Sequence, residues 1–193
     1  MKKTVIIEYG AGNVFSVEAA ARRLGYDVNI SCEPDIIMNA DRVIFPGVGH
    51  AGFAMERLKK NGLNRIIPKL TAPVLGICLG MQLMCSRSEE SDTEGLGIFP
   101  QTVKQIKGDC KVPHIGWNQI SALDSPLFEG VKNGAWVYFV HSYYLETSDY
   151  QVAECDYHTS FCAAIQKDNF FGCQFHPEKS GKTGERILKN FLE

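Results

Sequence analysis

The chain has 193 residues, 45% hydrophobic and 22% charged, proportions of an ordinary globular protein long enough to bury a sizeable core. Its formal net charge of −2, with Lys and Arg scattered along the chain, gives no footing for a nucleic-acid groove or an anionic membrane surface. No apolar run approaches the roughly 18 residues of a membrane span, and the one after Lys2-Lys3 is too short for a secretory leader. Seven cysteines without a Cys-x-x-Cys pair argue against a disulfide framework or a zinc site, and for a reducing cytoplasm.

In chain order, Thr4 to Glu8 reads as a buried strand, Tyr9 to Asn13 as a turn, and Val14 to Leu24 as a helix stopped by Gly25. Tyr26 to Ser31 and Asp41 to Phe45 are further strands, the second broken by Pro46-Gly47-Val48-Gly49. Phe53 to Lys60 has helical spacing, Pro73 to Ile77 is a fourth strand, and Met81 to Ser86 is a helix after it. Apolar strands alternating with helices predict an α/β fold, a mostly parallel sheet covered on both faces. From about Gly95 six short strand-like segments follow: Thr102 to Ile106, Trp117 to Ile120, Ala135 to Val140, Gln151 to Asp156, Ala163 to Lys167 and Phe170 to Phe175. They predict an antiparallel extension to that sheet, closed by a helix over Gly184 to Phe191. No repeat or linker divides residues 1–193, so one domain is expected.

Two stretches carry chemistry. An apolar strand runs into Gly76-Ile77-Cys78-Leu79-Gly80, where glycines two before and two after the cysteine suit a tight strand-to-helix turn that exposes Cys78 as a nucleophile. Taken alone the pentapeptide reads equally as a buried structural cysteine. A second apolar strand delivers His176-Pro177-Glu178, in which Glu178 can orient one imidazole nitrogen and turn the other toward a thiol. Alone this reads as a surface pair; with the cysteine elbow in the same chain it reads as base and orienter. An oxyanion hole needs backbone amides, and Leu79 and Val48 are the candidates. The Gly10-x-Gly12 after the first strand lacks the third glycine of a dinucleotide site, Phe15 standing there instead, so it reads as a turn packed beside the site or a partner. No cofactor or metal is called for.

Gly76 to Gln82 together with His176-Pro177-Glu178 resembles the class I (triad) glutamine amidotransferases over nearly the whole chain, which implies a flavodoxin-like sheet. Four further segments are similar to one branch of that family, the glutaminase subunits of bacterial imidazole glycerol phosphate synthase: Glu8 to Asn13, Phe45 to Gly49, Val112 to Asn118 and Tyr138 to Tyr144. Glu8 stands where that branch usually has Asp, and Ile115 where Met is frequent. The resemblance implies that Cys78 attacks the glutamine side-chain amide, Leu79 and Val48 hold the oxyanion, His176 passes the proton and Glu178 steadies it. It implies that Gln82, Gly49, Ser142 and Tyr143 bind the substrate, and that Asn13, His114, Trp117, Asn118 and Lys179 face a partner. Trp117 reads equally as a core tryptophan, and His141 as a structural or substrate-shaping residue.

Free ammonia becomes mostly ammonium near neutral pH, so the product must pass protected to an acceptor site, for which these 193 residues leave no room. The resemblance implies that a (β/α)₈-barrel cyclase holds that site, as one half of a heterodimer with no nucleic acid or membrane involved. Three other readings stand beside it: a paralogue feeding another acceptor such as a surface sugar, a stand-alone Cys-dependent γ-glutamyl hydrolase, and a non-catalytic binding module with a decayed site, against which the intact Cys78, His176 and Glu178 argue.

Overall fold

In the computed structural model, which describes residues 2–193, strands and helices alternate through the first half of the chain. The strands are β1 (Thr4–Ile7), β2 (Val28–Ser31), β3 (Arg42–Gly47) and β4 (Val74–Cys78). Between them run α1 (Val14–Arg23), α2 (Pro34–Met38), α3 (Ala51–Lys60) and α4 (Leu63–Ile66), and α5 (Leu79–Leu83) leaves β4 at once. There follow β5 (Cys85–Ser88), β6 (Thr93–Glu94), β7 (Phe99–Gln105), β8 (His114–Ile120), β9 (Ala135–His141) and β10 (Tyr143–Tyr144). The chain ends with β11 (Gln151–Tyr157), β12 (Thr159–Lys167), β13 (Phe170–Cys173) and α6 (Gly181–Leu192).

The main sheet has seven strands in the order β11-β12-β13-β4-β3-β1-β2, the last five parallel and β11 and β12 antiparallel. Both faces are covered, which is why its inner strands are continuous apolar runs. Val5, Ile7, Val43, Phe45 and Val74 pack into one core with Leu58, Leu63 and Met81. Ile6, Ile44, Leu75 and Ile77 point the other way, into a second core with Val17, Ala21, Ile187 and Leu188. α1 lies on that second face through Val14, Val17, Ala20 and Ala21, and its first turn is capped by Asn13 Oδ1 accepting the Ser16 N–H at 3.2 Å.

The α/β class and the parallel order stand as expected, and three details differ. The helix expected to run from Met81 to Ser86 ends at Leu83, because Cys85–Ser88 is recruited as β5 beside β7 and β6. Backbone pairing there overrides a weak local helix signal. Of the six later strand segments, only two extend the main sheet antiparallel. β13 returns parallel to β4, while β7 joins a four-stranded sheet with β10, β5 and β6, and β8 pairs with β9 alone. The sequence pattern does not predict the short helices α2 and α4, each being too brief to show a period.

The contact between α5 and β3 admits no side chain. A methyl group on Gly80 would sit 1.9 Å from the Phe45 carbonyl oxygen, and one on Gly47 would lie 2.7 Å from the Gly80 nitrogen. Gly80→Ala is therefore expected to destabilise the fold by about 4 kcal/mol or more. Gly25→Ala, at φ +85° with open space around it, should cost only about 1 kcal/mol. Urea denaturation of the two variants measures the difference.

Candidate active site

The parallel strands end on one side of the sheet, and the residues singled out by their chemistry gather there. Cys78 closes β4 with φ 52° and ψ −111°, a left-handed turn rare for a residue with a Cβ. The next strand over, β13, runs on through Gln174 and Phe175 to His176. His176 and the Glu178 side chain are both 2% exposed, and His176 Nδ1 bonds Glu178 Oε1 at 2.7 Å. The Nε2 of the same ring is buried without a hydrogen-bond partner. Burial alone would push this imidazole down, but the neighbouring Cys78 sulfur and the Glu178 carboxylate outweigh it and raise its proton affinity above that of an ordinary histidine.

Cys78 opens on a cavity of about 280 Å³ lined by Val48, Gly49, Leu79, Gln82, Glu90, Pro113, Val140, His141, Ser142 and Tyr143. The expected oxyanion donors and substrate contacts thus share one space with the thiol, and the His176–Glu178 pair is buried beside it. The end of β3 is held by the segment that follows β1: the buried Tyr9 hydroxyl donates to the Pro46 carbonyl at 3.0 Å. The Tyr9–Asn13 segment is thereby packed beside the site. Gln82 sits one turn into α5, and its Nε2 donates to the Tyr143 carbonyl and to Gln174 Oε1, each at 2.9 Å. That orientation leaves Gln82 Oε1 as an acceptor for whatever enters.

Glu90 was not expected. Among the described residues it is the only carboxylate lining the cavity, and its Oε2 accepts the Ala51 N–H at the start of α3 at 2.7 Å. The turn that presents it carries two left-handed residues, Ser91 and Asp92. Nothing in Glu89-Glu90 marks it in sequence, since an acidic pair after a helix is the usual look of a solvated turn.

The five expected partner contacts divide. Asn13, Trp117 and Lys179 are exposed, and Trp117 reaches Gly181 at the start of α6, so it is a surface residue and not a core tryptophan. Alternation on β8 and β9 turns Ile115, Trp117, Tyr138 and Trp136 to one outer face, with Trp117 and Trp136 about half exposed. By the same alternation His114 and Asn118 lie on the opposite face from Trp117, His114 buried and Asn118 partly buried. His114 is 3% exposed, stacked on Tyr157 and Phe139, and Asn118 donates to the Asp156 carbonyl at 2.9 Å. His114 Nδ1 meets His141 Nε2 at 3.0 Å, and His141 Nδ1 meets the Tyr143 carbonyl at 2.8 Å. A carbonyl only accepts, so the proton on His141 lies at Nδ1 and His141 Nε2 accepts from His114. His141 thus lines the cavity with both ring nitrogens engaged.

Cysteines elsewhere in the core are held as thiols. Burial pushes Cys155 and Cys162 up to about 12, and Cys85 and Cys173 are raised by burial as well.

Compared with known proteins, residues 5–193 match the family Glutamine amidotransferase class-I. The chain is 54% identical over 194 residues to a protein named imidazole glycerol phosphate synthase subunit HisH from Bacteroides fragilis (strain YCH46), spanning 99% of both. A protein of the same name, numbered 1, from Vibrio vulnificus (strain YJ016) is 46% identical over 200 residues, spanning 100% of this chain and 98% of the other. Among solved structures, one described as a glutamine amidotransferase superposes with a TM-score of 0.77 at 15% identity, covering 97% of this chain and 96% of that one. PurLQS from Thermotoga maritima superposes with a TM-score of 0.75 at 16% identity, covering 100% and 98%. At these identities the structural likeness is one of fold.

The His114–His141 pair generates a pH expectation. Burial pushes His114 down to about 4 and His141 down to about 3, from an ordinary 6.5. Below pH 6.5 the unfolded chain binds protons that the folded chain refuses, so this contribution to stability is complete above 6.5 and drains from there to about 4 for His114 and about 3 for His141. Melting temperature against pH should fall over that window, and His141→Gln should flatten the fall.

Proposed function

The chain belongs to the class I glutamine amidotransferases, and from that membership we propose that it is the glutaminase subunit of an imidazole glycerol phosphate synthase. It hydrolyses glutamine to glutamate and ammonia, and the ammonia passes to a cyclase partner that makes imidazole glycerol phosphate and AICAR in histidine biosynthesis. The observation that carries this reading is the meeting of a thiol on a left-handed turn with a buried His–Glu pair across two neighbouring parallel strands.

In the proposed mechanism Cys78 Sγ attacks the side-chain amide carbon of glutamine, and the Leu79 and Val48 amides hold the oxyanion. His176 gives a proton to the departing ammonia and then takes one from the water that hydrolyses the thioester. Glu178 keeps the ring oriented throughout. At the other end of the substrate, Glu90 and Gln82 Oε1 accept from the α-ammonium, while Gly49, Ser142 and Tyr143 hold the α-carboxylate.

The partner is a (β/α)₈-barrel subunit, docked on the outer face of β8 and β9 with Asn13 and Lys179 at its rim. Half-exposed tryptophans beside polar residues are what such an interface uses as anchors. The same strand touches the chemistry: the Tyr138 carbonyl accepts the His176 N–H at 2.9 Å, and the Val140 carbonyl lies 3.7 Å from Cys78 Sγ. Docking and catalysis are therefore mechanically linked, and the glycines either side of Val48 let its peptide turn to complete the hole when the partner binds. A cytoplasmic setting agrees with seven free thiols.

Cys78→Ala should abolish synthesis from glutamine and spare synthesis from added ammonia in the presence of the cyclase. Loss of both would overturn the division of labour. Glu90→Gln should raise KM for glutamine about tenfold or more with kcat little changed, as expected for a lost charged hydrogen bond. Glutaminase turnover should be low for the isolated chain and rise on adding the cyclase with its nucleotide; high unstimulated turnover would contradict the coupling.

A further inference from the structure

Gln174 is fully buried, lies two residues before His176 and takes no part in the mechanism above. Its amide sits between Gln82 and Cys78: Gln174 Oε1 accepts from Gln82 Nε2 at 2.9 Å, and Gln174 Nε2 lies 3.6 Å from Cys78 Sγ. An amide can be turned either way, so the direction of such a chain needs an anchor. Here the anchor is a backbone carbonyl. Tyr143 C=O only accepts, so Gln82 must present its NH₂ to it, at 2.9 Å. The second hydrogen of that NH₂ goes to Gln174, which must therefore present its oxygen to Gln82 and its own NH₂ to the sulfur.

We infer that Gln174 is a hydrogen-bond donor to the nucleophile, held by a one-directional relay from the Tyr143 carbonyl through Gln82 to Cys78 Sγ. The need for it is visible at the sulfur. The Val140 carbonyl, 3.7 Å away, suits a thiol that donates S–H but repels a thiolate. An N–H aimed at the same atom from a buried amide compensates when the proton leaves, and buried hydrogen bonds in series polarise one another. Gln174 also fixes where the sulfur sits, since the amide cannot turn without losing its bond to Gln82. Only sequence position connects it with the expected site, and only the register of β13 beside β4 brings its side chain to Cys78.

This inference rests on Cys78 being the nucleophile, and the test separates the two. The full-length chain is alkylated with iodoacetamide across a pH series, and modification is read on the Cys78-bearing peptide by mass spectrometry. Gln174→Met removes the donor without adding charge. Its alkylation profile should move up by about one pH unit, the size expected for one lost hydrogen bond to a charged group. With the cyclase present, kcat should fall about tenfold or more, with KM for glutamine within about threefold of wild type. An unmoved profile would overturn the assignment, whatever happens to kcat. Should Gln174→Met fail to fold, the double variant Gln82→Leu/Gln174→Met is read instead, because removing both partners of a buried pair leaves no orphaned donor. The same upward move is expected of it, and an unmoved profile again overturns the donor. Glutaminase activity retained in Cys78→Ala would overturn the nucleophile itself, whereas a dead Cys78→Ala with an unmoved Gln174→Met profile removes only the donor.

Discussion

The structure turns on the junction of β4 and α5 at Cys78. The strand enters the helix here through one residue of positive φ, and for a cysteine this costs on the order of 1–3 kcal/mol. The cost is borne by the two apolar layers that grip β4 from both sides. The helix can follow so directly only because Gly80 and Gly47 bring its first turn against β3 with no side chain between. The result is a sulfur lifted clear of the sheet at a fixed point, with β3 and β13 ending on either side of it.

Every other part of the site is placed relative to that point by strand register. β13 pairs with β4 so that the chain beyond Cys173 brings Gln174 to the sulfur and His176 into its neighbourhood. β3 brings Val48 and Gly49 to the cavity, and Tyr9, in the segment that follows β1, holds the end of β3. The strands outside the main sheet complete the wall. β9 does so twice over, because its inner neighbours are the catalytic segment and its outer face carries Tyr138 and Trp136. The cavity beside Cys78 and the outer face that carries the half-exposed tryptophans are thus two sides of one strand pair.

The legibility of these parts follows from how local their causes are. The parallel sheet could be read because its apolar runs and glycine punctuation are short-range signals, and the Cys78 and His176 motifs because each is contiguous. The helix expected over Met81 to Ser86 could not be separated from β5, since Cys85–Ser88 becomes a strand only when β7 arrives from fourteen residues on to pair with it. Likewise His114 and Asn118 sit in a segment that does reach the surface, but period-two alternation against β9 decides which of its residues turn inward. Glu90 and Gln174 carry no local mark at all: one is an ordinary acidic residue in a turn, the other an ordinary glutamine in an apolar strand.

By itself, the sequence determined the α/β class, two contiguous motifs around Cys78 and His176 and the family to which the chain belongs, because steric demands on a tight turn and the hydrophobic period are written in neighbouring residues. The tertiary structure decided which carboxylate faces the cavity, which histidines are buried neutral, which aromatics form an outer face and which amide points at the sulfur. Those are questions of register and of hydrogen-bond direction between segments far apart in the chain, and no local pattern encodes them.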